Sequence, residues 1–140
     1  MNKEERADRL YRDIAERISQ ESRAQRLQVG CVLVRETSIV SYGYNGMPHG
    51  WDNRCEHEIA GELHTRPEVL HAEANAIAKL ARMGGGTVGL TLYTTHSPCL
   101  ECSKLIVQSG IGRVRWSRPY RDRTGLDFLQ VAGVDVRQLS

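Results

Sequence analysis

His71-Ala72-Glu73-Ala74-Asn75-Ala76-Ile77, followed downstream by Thr95-His96-Ser97-Pro98-Cys99-Leu100-Glu101-Cys102, are the stretches on which the reading of this chain turns. One imidazole (His71) and two thiolates (Cys99, Cys102) are three ligands of the kind zinc takes, and three protein ligands leave the fourth tetrahedral position open to water. Glu73 then stands beside that position as an acid or base and not as a ligand. The structural alternative is a closed Cys/His knot. It needs a fourth protein ligand from His64, His96, Cys31 or Cys55, and it leaves Glu73 without a role. A lone Cys-x-x-Cys would say less, because redox pairs and structural zinc sites share that spacing.

Working outward, both ligand groups fall where helices begin. His71 opens a helix with Ala74, Ile77, Ala78 and Ala81 as its apolar stripe, and Gly84-Gly85-Gly86 ends it. Residues 87–94 read as a strand leading to Pro98, which suits the first turn of a further helix carrying Cys99 and Cys102 on one side. Thiolates at helix starts meet the positive end of the helix dipole, which favours ionised sulfur. Upstream, residues 3–21 read as an amphipathic helix with Leu10, Ile14 and Ile18 at four-residue spacing. Residues 29–34 and 39–42 form a hairpin around Arg35-Glu36-Thr37-Ser38. Residues 43–65 are a long polar connection without a period of their own, and connections of that length are usually functional. Residues 114–116 and 134–136 are short strands around a helix at 126–131. The alternation of helices and strands predicts an α/β fold with helices on both faces of the sheet.

At 140 residues the length prior gives one domain, residues 1–140, large enough to bury a core without disulfide staples. Two of the four cysteines are claimed by the zinc motif, which argues for a reducing compartment. The start, Met1-Asn2-Lys3-Glu4-Glu5-Arg6, lacks the apolar stretch of a signal peptide, and no apolar run approaches membrane-spanning length. The expectation is a cytoplasmic protein without a membrane partner. A formal charge of +2, from 19 basic and 17 acidic residues, gives no general footprint for a nucleic acid polymer. A small anionic substrate needs only a few local cations, so this balance favours a free nucleotide.

His-x-Glu with a later Pro-Cys-x-x-Cys is the signature of zinc-dependent nucleobase deaminases. Beyond that motif the chain resembles the deoxycytidylate deaminases. The resemblance runs from Arg26 and Val29-Gly30 to Val136 and rests on Gly43-Tyr44-Asn45-Gly46-Met47-Pro48, Thr65-Arg66-Pro67-Glu68, His71 to Ile77, Cys102-Ser103-Lys104-Leu105-Ile106 and Tyr120-Arg121-Asp122. It implies the three-layer α/β/α cytidine-deaminase sandwich with a five-stranded mixed sheet. It also implies hydrolysis of dCMP to dUMP and ammonia at a cyclic amidine C–N bond, supplying dUMP for thymidylate synthesis.

The same resemblance implies a substrate site with groups from Arg26, Asn45, His71, Ala72, Glu73, Ser97, Pro98, Tyr120 and Arg121. Arg26 and Tyr120 are expected near the phosphate or sugar, and Asn45 at the sugar; an unplaced arginine is otherwise a solvated surface charge. Gly43, Tyr44, Asn45 and Gly46 resemble an effector loop at which dCTP with Mg²⁺ activates and dTTP inhibits, and such regulation implies a homo-oligomer, typically a hexamer. Asn-Gly is also a plain turn signal. Some relatives hold a second zinc, for which Cys31, Cys55, His57 and His64 are the candidates. Against it, Cys31 lies in an apolar strand, where free cysteine behaves as a small hydrophobe. The rival readings are a tRNA adenosine deaminase, a free-cytidine deaminase and a catalytically silent zinc module. Balanced charge and the long segment before His71 count against the first, Tyr120-Arg121-Asp122 against the second and Glu73 against the third.

Overall fold

The computed structural model describes residues 1–140. In chain order the elements are α1 (Lys3–Ser19), β1 (Gly30–Arg35), β2 (Ser38–Tyr44), β3 (Glu56–Ile59), β4 (Glu62–Thr65), α2 (Ala72–Arg82), β5 (Thr91–His96), α3 (Leu100–Gln108), β6 (Arg113–Arg118), α4 (Thr124–Val131) and β7 (Asp135–Gln138). Five strands make one mixed sheet in the order β2-β1-β5-β6-β7. β1 runs antiparallel to both β2 and β5, while β5, β6 and β7 are parallel and joined through α3 and α4. Such crossovers place their helices on one face of the sheet. The result is the expected α/β/α sandwich: α1 alone on one face, and α2, α3 and α4 on the other.

Alternation along β1 divides the core between the two faces. Cys31 and Leu33 join Ala72, Ala76, Ile77, Leu80, Ile106 and Leu129 under the three-helix layer. Val32 and Val34 join Tyr11, Ala15 and Tyr93 under α1. Asn2 caps α1 by accepting from the Glu5 N–H at 2.8 Å, while its amide donates to the Glu5 carboxylate at 3.2 Å. The cap satisfies one backbone donor that the helix start leaves unpaired, the Glu5 N–H, and the second bond links the two side chains.

Two expected apolar stripes are displaced by about one residue position around their helices. On α1 the buried line is Asp8, Tyr11, Ala15 and Ser19; Ile14 and Ile18 pack at its flank, and Leu10 is 53% exposed. Counting aliphatic residues misplaced the seam because its contacts are an aromatic pair, Tyr11 with Tyr93 at 5.2 Å, and the Tyr93 hydroxyl donating to Asp8 at 2.6 Å. On α2 the buried line is Ala72, Glu73, Ala76, Ile77 and Leu80, so Ala74, Ala78 and Ala81 do not form the seam. Gly43 of β2 explains this. A Cβ at Gly43 would lie 2.5 Å from the Ala72 carbonyl oxygen and 2.6 Å from the Ala76 nitrogen, so helix backbone rests directly on strand backbone there.

The connection at 43–65 is not devoid of structure. It contains the hairpin β3–β4, in which Glu56 opposes Thr65 and His57 opposes His64. Ala60 and Gly61 turn it with φ of 53° and 81°, the pair of positive angles that a two-residue hairpin turn uses. Both strands are charged and largely solvated, so no hydrophobic alternation betrayed them. β5 begins at Thr91, later than expected, since Gly89 at φ 78° breaks the extended run; it continues to His96. Pro98 precedes the cap of α3 and is not in its first turn.

Candidate metal centre and nucleotide pocket

The starts of α2 and α3 converge and bring three metal-donor side chains together. His71 is the N-cap of α2 and Cys99 the N-cap of α3, with Cys102 at the third helical position. His71 Nδ1 lies 3.3 Å from Cys102 Sγ and 3.4 Å from Cys99 Sγ, and the three donors fall within 4.8 Å of one another. Tetrahedral zinc with Zn–S of about 2.3 Å and Zn–N of about 2.0 Å separates its N and S ligands by about 3.5 Å. The donor set therefore fits zinc in spacing and in chemistry. α4 holds the cysteine loop in place: Gly125 packs so tightly that a Cβ would lie 2.8 Å from the Cys99 carbonyl carbon.

The charge state of the cluster follows from its contacts. A hydrogen bond from the Cys102 thiol, helped by His71 and the Cys102 backbone N–H, brings the Cys99 thiol down to about 4. The same hydrogen bond, followed by burial, raises Cys102 well above the usual thiol range. The two sulfurs thus share one proton, the arrangement that a divalent cation displaces on binding. His71 is raised, chiefly by its hydrogen bond to Cys99.

Glu73 is the second residue of α2 and is 4% exposed. Burial pushes its carboxyl up to about 7, against smaller lowering contributions from its own backbone N–H, His71 and Cys102. None of the groups acting on its charge is a lysine or arginine. A carboxyl that exchanges its proton near neutrality beside a cavity is suited to acid–base work.

The cluster opens into a cavity of about 600 Å³. That volume lies within the usual range of small-ligand sites, roughly 300–1,000 Å³. Arg26, Asn45, Ala72, Ser97, Tyr120 and Arg121 line it together with His71, Glu73 and Cys99. Pro98 does not: it is fully buried behind the wall, its carbonyl against Gly125. Ser97 accepts from the Tyr120 N–H at 2.6 Å and so ties the end of β5 to the segment after β6. Arg121 lies over the Tyr120 ring at 5.3 Å.

Asn45 lines the cavity, but its amide is spent inside the protein. Its Oδ1 accepts from the Val29 N–H at 2.9 Å, and its Nδ2 donates to the Leu27 carbonyl at 2.7 Å. Gly43 is pressed on α2, and Gly46 exchanges two backbone hydrogen bonds with Leu70. Tyr44 is half-buried at the end of β2, with its carbonyl accepting from Asn75. None of Gly43, Tyr44 and Gly46 borders the cavity.

The four candidates for a second zinc do not assemble. The only cluster of three or more metal-donor side chains is His71, Cys99 and Cys102. Cys31 is fully buried in β1 within the core and carries a raised thiol pKa from burial and from Glu73. His57 and His64 face each other on the solvated hairpin with ring centres 6.3 Å apart. His96 is not a fourth ligand either: its ring nitrogens meet Thr95 Oγ1 at 2.8 Å and Arg118 Nε at 3.4 Å.

Sequence reasoning missed Glu56, Thr65, Val69 and Arg118 on the cavity wall. Thr65 opens the Thr65-Arg66-Pro67-Glu68 stretch on which the resemblance rests, without a site role assigned to it; the other three belong to no motif. Arg118 is occupied by Glu16 at 2.9 Å, a contact between β6 and α1 that no local pattern encodes. Glu56 and Thr65 reach the wall only because β3 and β4 pair.

Three protein donors, a buried carboxylate next to them and an adjoining cavity define a metal centre with room for one further ligand. The family model of the cytidine and deoxycytidylate deaminase zinc-binding region matches residues 5–117, and the chain belongs to that family. It is 38% identical to the deoxycytidylate deaminase of Saccharomyces cerevisiae over 95% of this chain, and spans 45% of that relative's length. With the deoxycytidylate deaminase of Enterobacteria phage T4 the identity is 32%, over 88% of this chain and 84% of that protein. The dCMP deaminase of cyanophage S-TIM5, solved in complex with dCMP and dUMP, superposes with a TM-score of 0.89 at 40% identity over 99% of each chain. No helix is long and apolar enough to cross a membrane.

Proposed function

We propose that this chain hydrolyses dCMP to dUMP and ammonia at a zinc centre held by His71, Cys99 and Cys102. The observation that carries the reading is the end-to-end similarity to the cyanophage enzyme crystallised with dCMP and dUMP, joined to the His/Cys/Cys cluster and Glu73 on one cavity. Zinc bound there supplies a water acidified toward neutrality. Glu73 accepts the proton of that water as the oxygen attacks C4, and delivers it to N3 of the cytosine. Glu73 then takes the remaining proton from the hydroxyl on C4 and passes it to the departing amino group; the C4–N bond breaks as the C4 carbonyl forms, so that one water is consumed and one ammonia released. The Ala72 and Ser97 walls hold the base, and Asn45 shapes the sugar end by fastening the loop that carries Leu27 and Val29. Arg26 and Arg121, with Tyr120, take the phosphate, because neither arginine is paired with a carboxylate while Arg118 is held by Glu16.

The same reading includes control by nucleoside triphosphates: dCTP with Mg²⁺ activates, dTTP inhibits, and the chain works as a homo-oligomer, a hexamer by preference. With Gly43, Asn45 and Gly46 committed to internal contacts, Tyr44 is the member of that loop with a side chain to offer. Ammonia release from dCMP, deoxycytidine, CMP and a tRNA, each with and without dCTP or dTTP, tests the whole reading. The expected result is a preference for dCMP, with dCTP lowering and dTTP raising the concentration for half-maximal rate. Equal efficiency on dCMP and deoxycytidine would refute the monophosphate reading. Curves unmoved by either triphosphate would remove the control.

A further inference from the structure

We infer that the β3–β4 hairpin is a phosphate-side clamp, in which the cross-strand pair Glu56 and Thr65 presets Arg26 and so tunes the preference for a nucleoside monophosphate over the nucleoside. The inference rests on the dCMP reading above and goes beyond it, since it gives a task to a hairpin that carries no catalytic or metal-binding group.

The loop between α1 and β1 reaches the cavity through Ala24, Arg26, Leu27 and Val29. One side of this loop is fastened to the main sheet by Asn45. The other side is fastened to the hairpin. A single oxygen of Glu56, Oε2, accepts from the Gln25 N–H at 2.9 Å and from the Arg26 N–H at 3.0 Å. Its partner across the hairpin, Thr65, accepts from Arg26 Nη1 through Oγ1 at 3.1 Å. One pair of opposed residues therefore holds both the backbone and the guanidinium of one arginine. All three residues line the cavity that contains the metal cluster.

Chemistry explains why this pair suits the task. Arg26 is exposed, and a free long side chain loses rotamer freedom when it engages a ligand; holding it beforehand reduces that loss. Thr65 does so with a neutral hydroxyl, which leaves the guanidinium charge for a dianionic phosphate. Glu56 spends its carboxylate on two backbone N–H groups, where charge-assisted bonds are strong. Val69 and the β4 end follow directly toward His71, so the clamp and the metal site share one continuous segment. Glu56 and Thr65 are positioning residues, acting through Arg26.

The test compares Thr65→Val, Thr65→Ser, Glu56→Gln, Arg26→Ala and the double variant Arg26→Ala/Thr65→Val on the zinc-loaded protein, with dCMP and deoxycytidine as substrates. Thr65→Val should narrow the dCMP-to-deoxycytidine ratio of kcat/KM by about 3- to 10-fold, the worth of one hydrogen bond, and should do so through KM for dCMP. Thr65→Ser should restore the ratio, and Thr65→Val should add nothing in the Arg26→Ala background. Glu56→Gln should shift the ratio the same way, since an amide oxygen holds the two N–H groups less strongly. An unmutated chain that shows no preference for dCMP would bring down the substrate reading and this inference with it. A clear preference that survives Thr65→Val, or effects of Thr65→Val and Arg26→Ala that multiply, would overturn the clamp alone.

Discussion

On the face of the sheet covered by α1, Arg115 is 1% exposed and fully engaged: it donates to the Asp135 carbonyl at 2.8 Å and to the Val114 carbonyl at 3.2 Å, and pairs with the Asp135 carboxylate at 3.2 Å. On the opposite face Glu73 is buried nearly as deeply, yet no salt bridge or side-chain hydrogen bond to an arginine or lysine holds it, and the groups that act on its charge are His71, Cys99 and Cys102. Arg115 and Tyr93 sit side by side in the β5–β6 register, and Tyr93 in turn donates to Asp8. Buried polar groups are ordinarily satisfied, so the α1 face is what a structural network looks like. A buried carboxyl with its pKa pushed toward neutrality, beside a cavity and a cluster of metal-donor side chains, is the mark of a candidate working site. The two faces differ in the partners of their buried polar groups and not in burial.

Variants that strike each face should separate stability from chemistry. The largest effect on function is expected for Cys102→Ser, which removes one of three donors: metal content by atomic absorption and dCMP turnover should fall together. Full zinc occupancy in that variant would mean that another ligand set holds the ion. Arg26→Ala should come next, lowering kcat/KM for dCMP by roughly 10- to 100-fold, the worth of a hydrogen bond to a charged group, with a smaller effect on deoxycytidine. Steady-state kinetics on both substrates measure it. Arg115→Met should have the smallest effect on catalysis. Its cost falls on stability, about 1–3 kcal/mol for carbonyls left without their donor, read as a lower urea midpoint. If Arg115→Met instead changed KM for dCMP at unaltered stability, the division of the sheet into a structural and a working face would fail.

The His71, Cys99 and Cys102 cluster and Glu73 beside it were legible because the chemistry needs those residue types and the spacing within each half, His71 to Glu73 and Cys99 to Cys102, is short, although 28 residues separate His71 from Cys99. The helix starts were legible for the same reason: His71 and Cys99 cap the helices that the local pattern predicts. Less legible was whatever depends on contact between distant segments. Ala76 is in the seam of α2 because Gly43 lets the helix descend on β2, and no periodicity within the helix states this. Glu56 and Thr65 form strands without an apolar side, so the hydrophobic signal was silent exactly where the polar wall of the cavity was being built. Cys31 shows the converse. The resemblance to relatives with a second zinc grouped it with Cys55, His57 and His64, while the apolar strand around it argued for the core, and it lies in the core close to Glu73.

The most direct test is made on one sample of Glu73→Gln, in which zinc content, thermal midpoint and dCMP-dependent ammonia release are measured together. Loss of acid–base assistance should lower turnover by about 10²- to 10⁴-fold, with one zinc per chain retained and the fold intact. A zinc-loaded Glu73→Gln protein that releases ammonia at nearly the unmutated rate would contradict the assignment of Glu73 as the proton carrier, and loss of zinc from that variant would contradict its standing outside the ligand set.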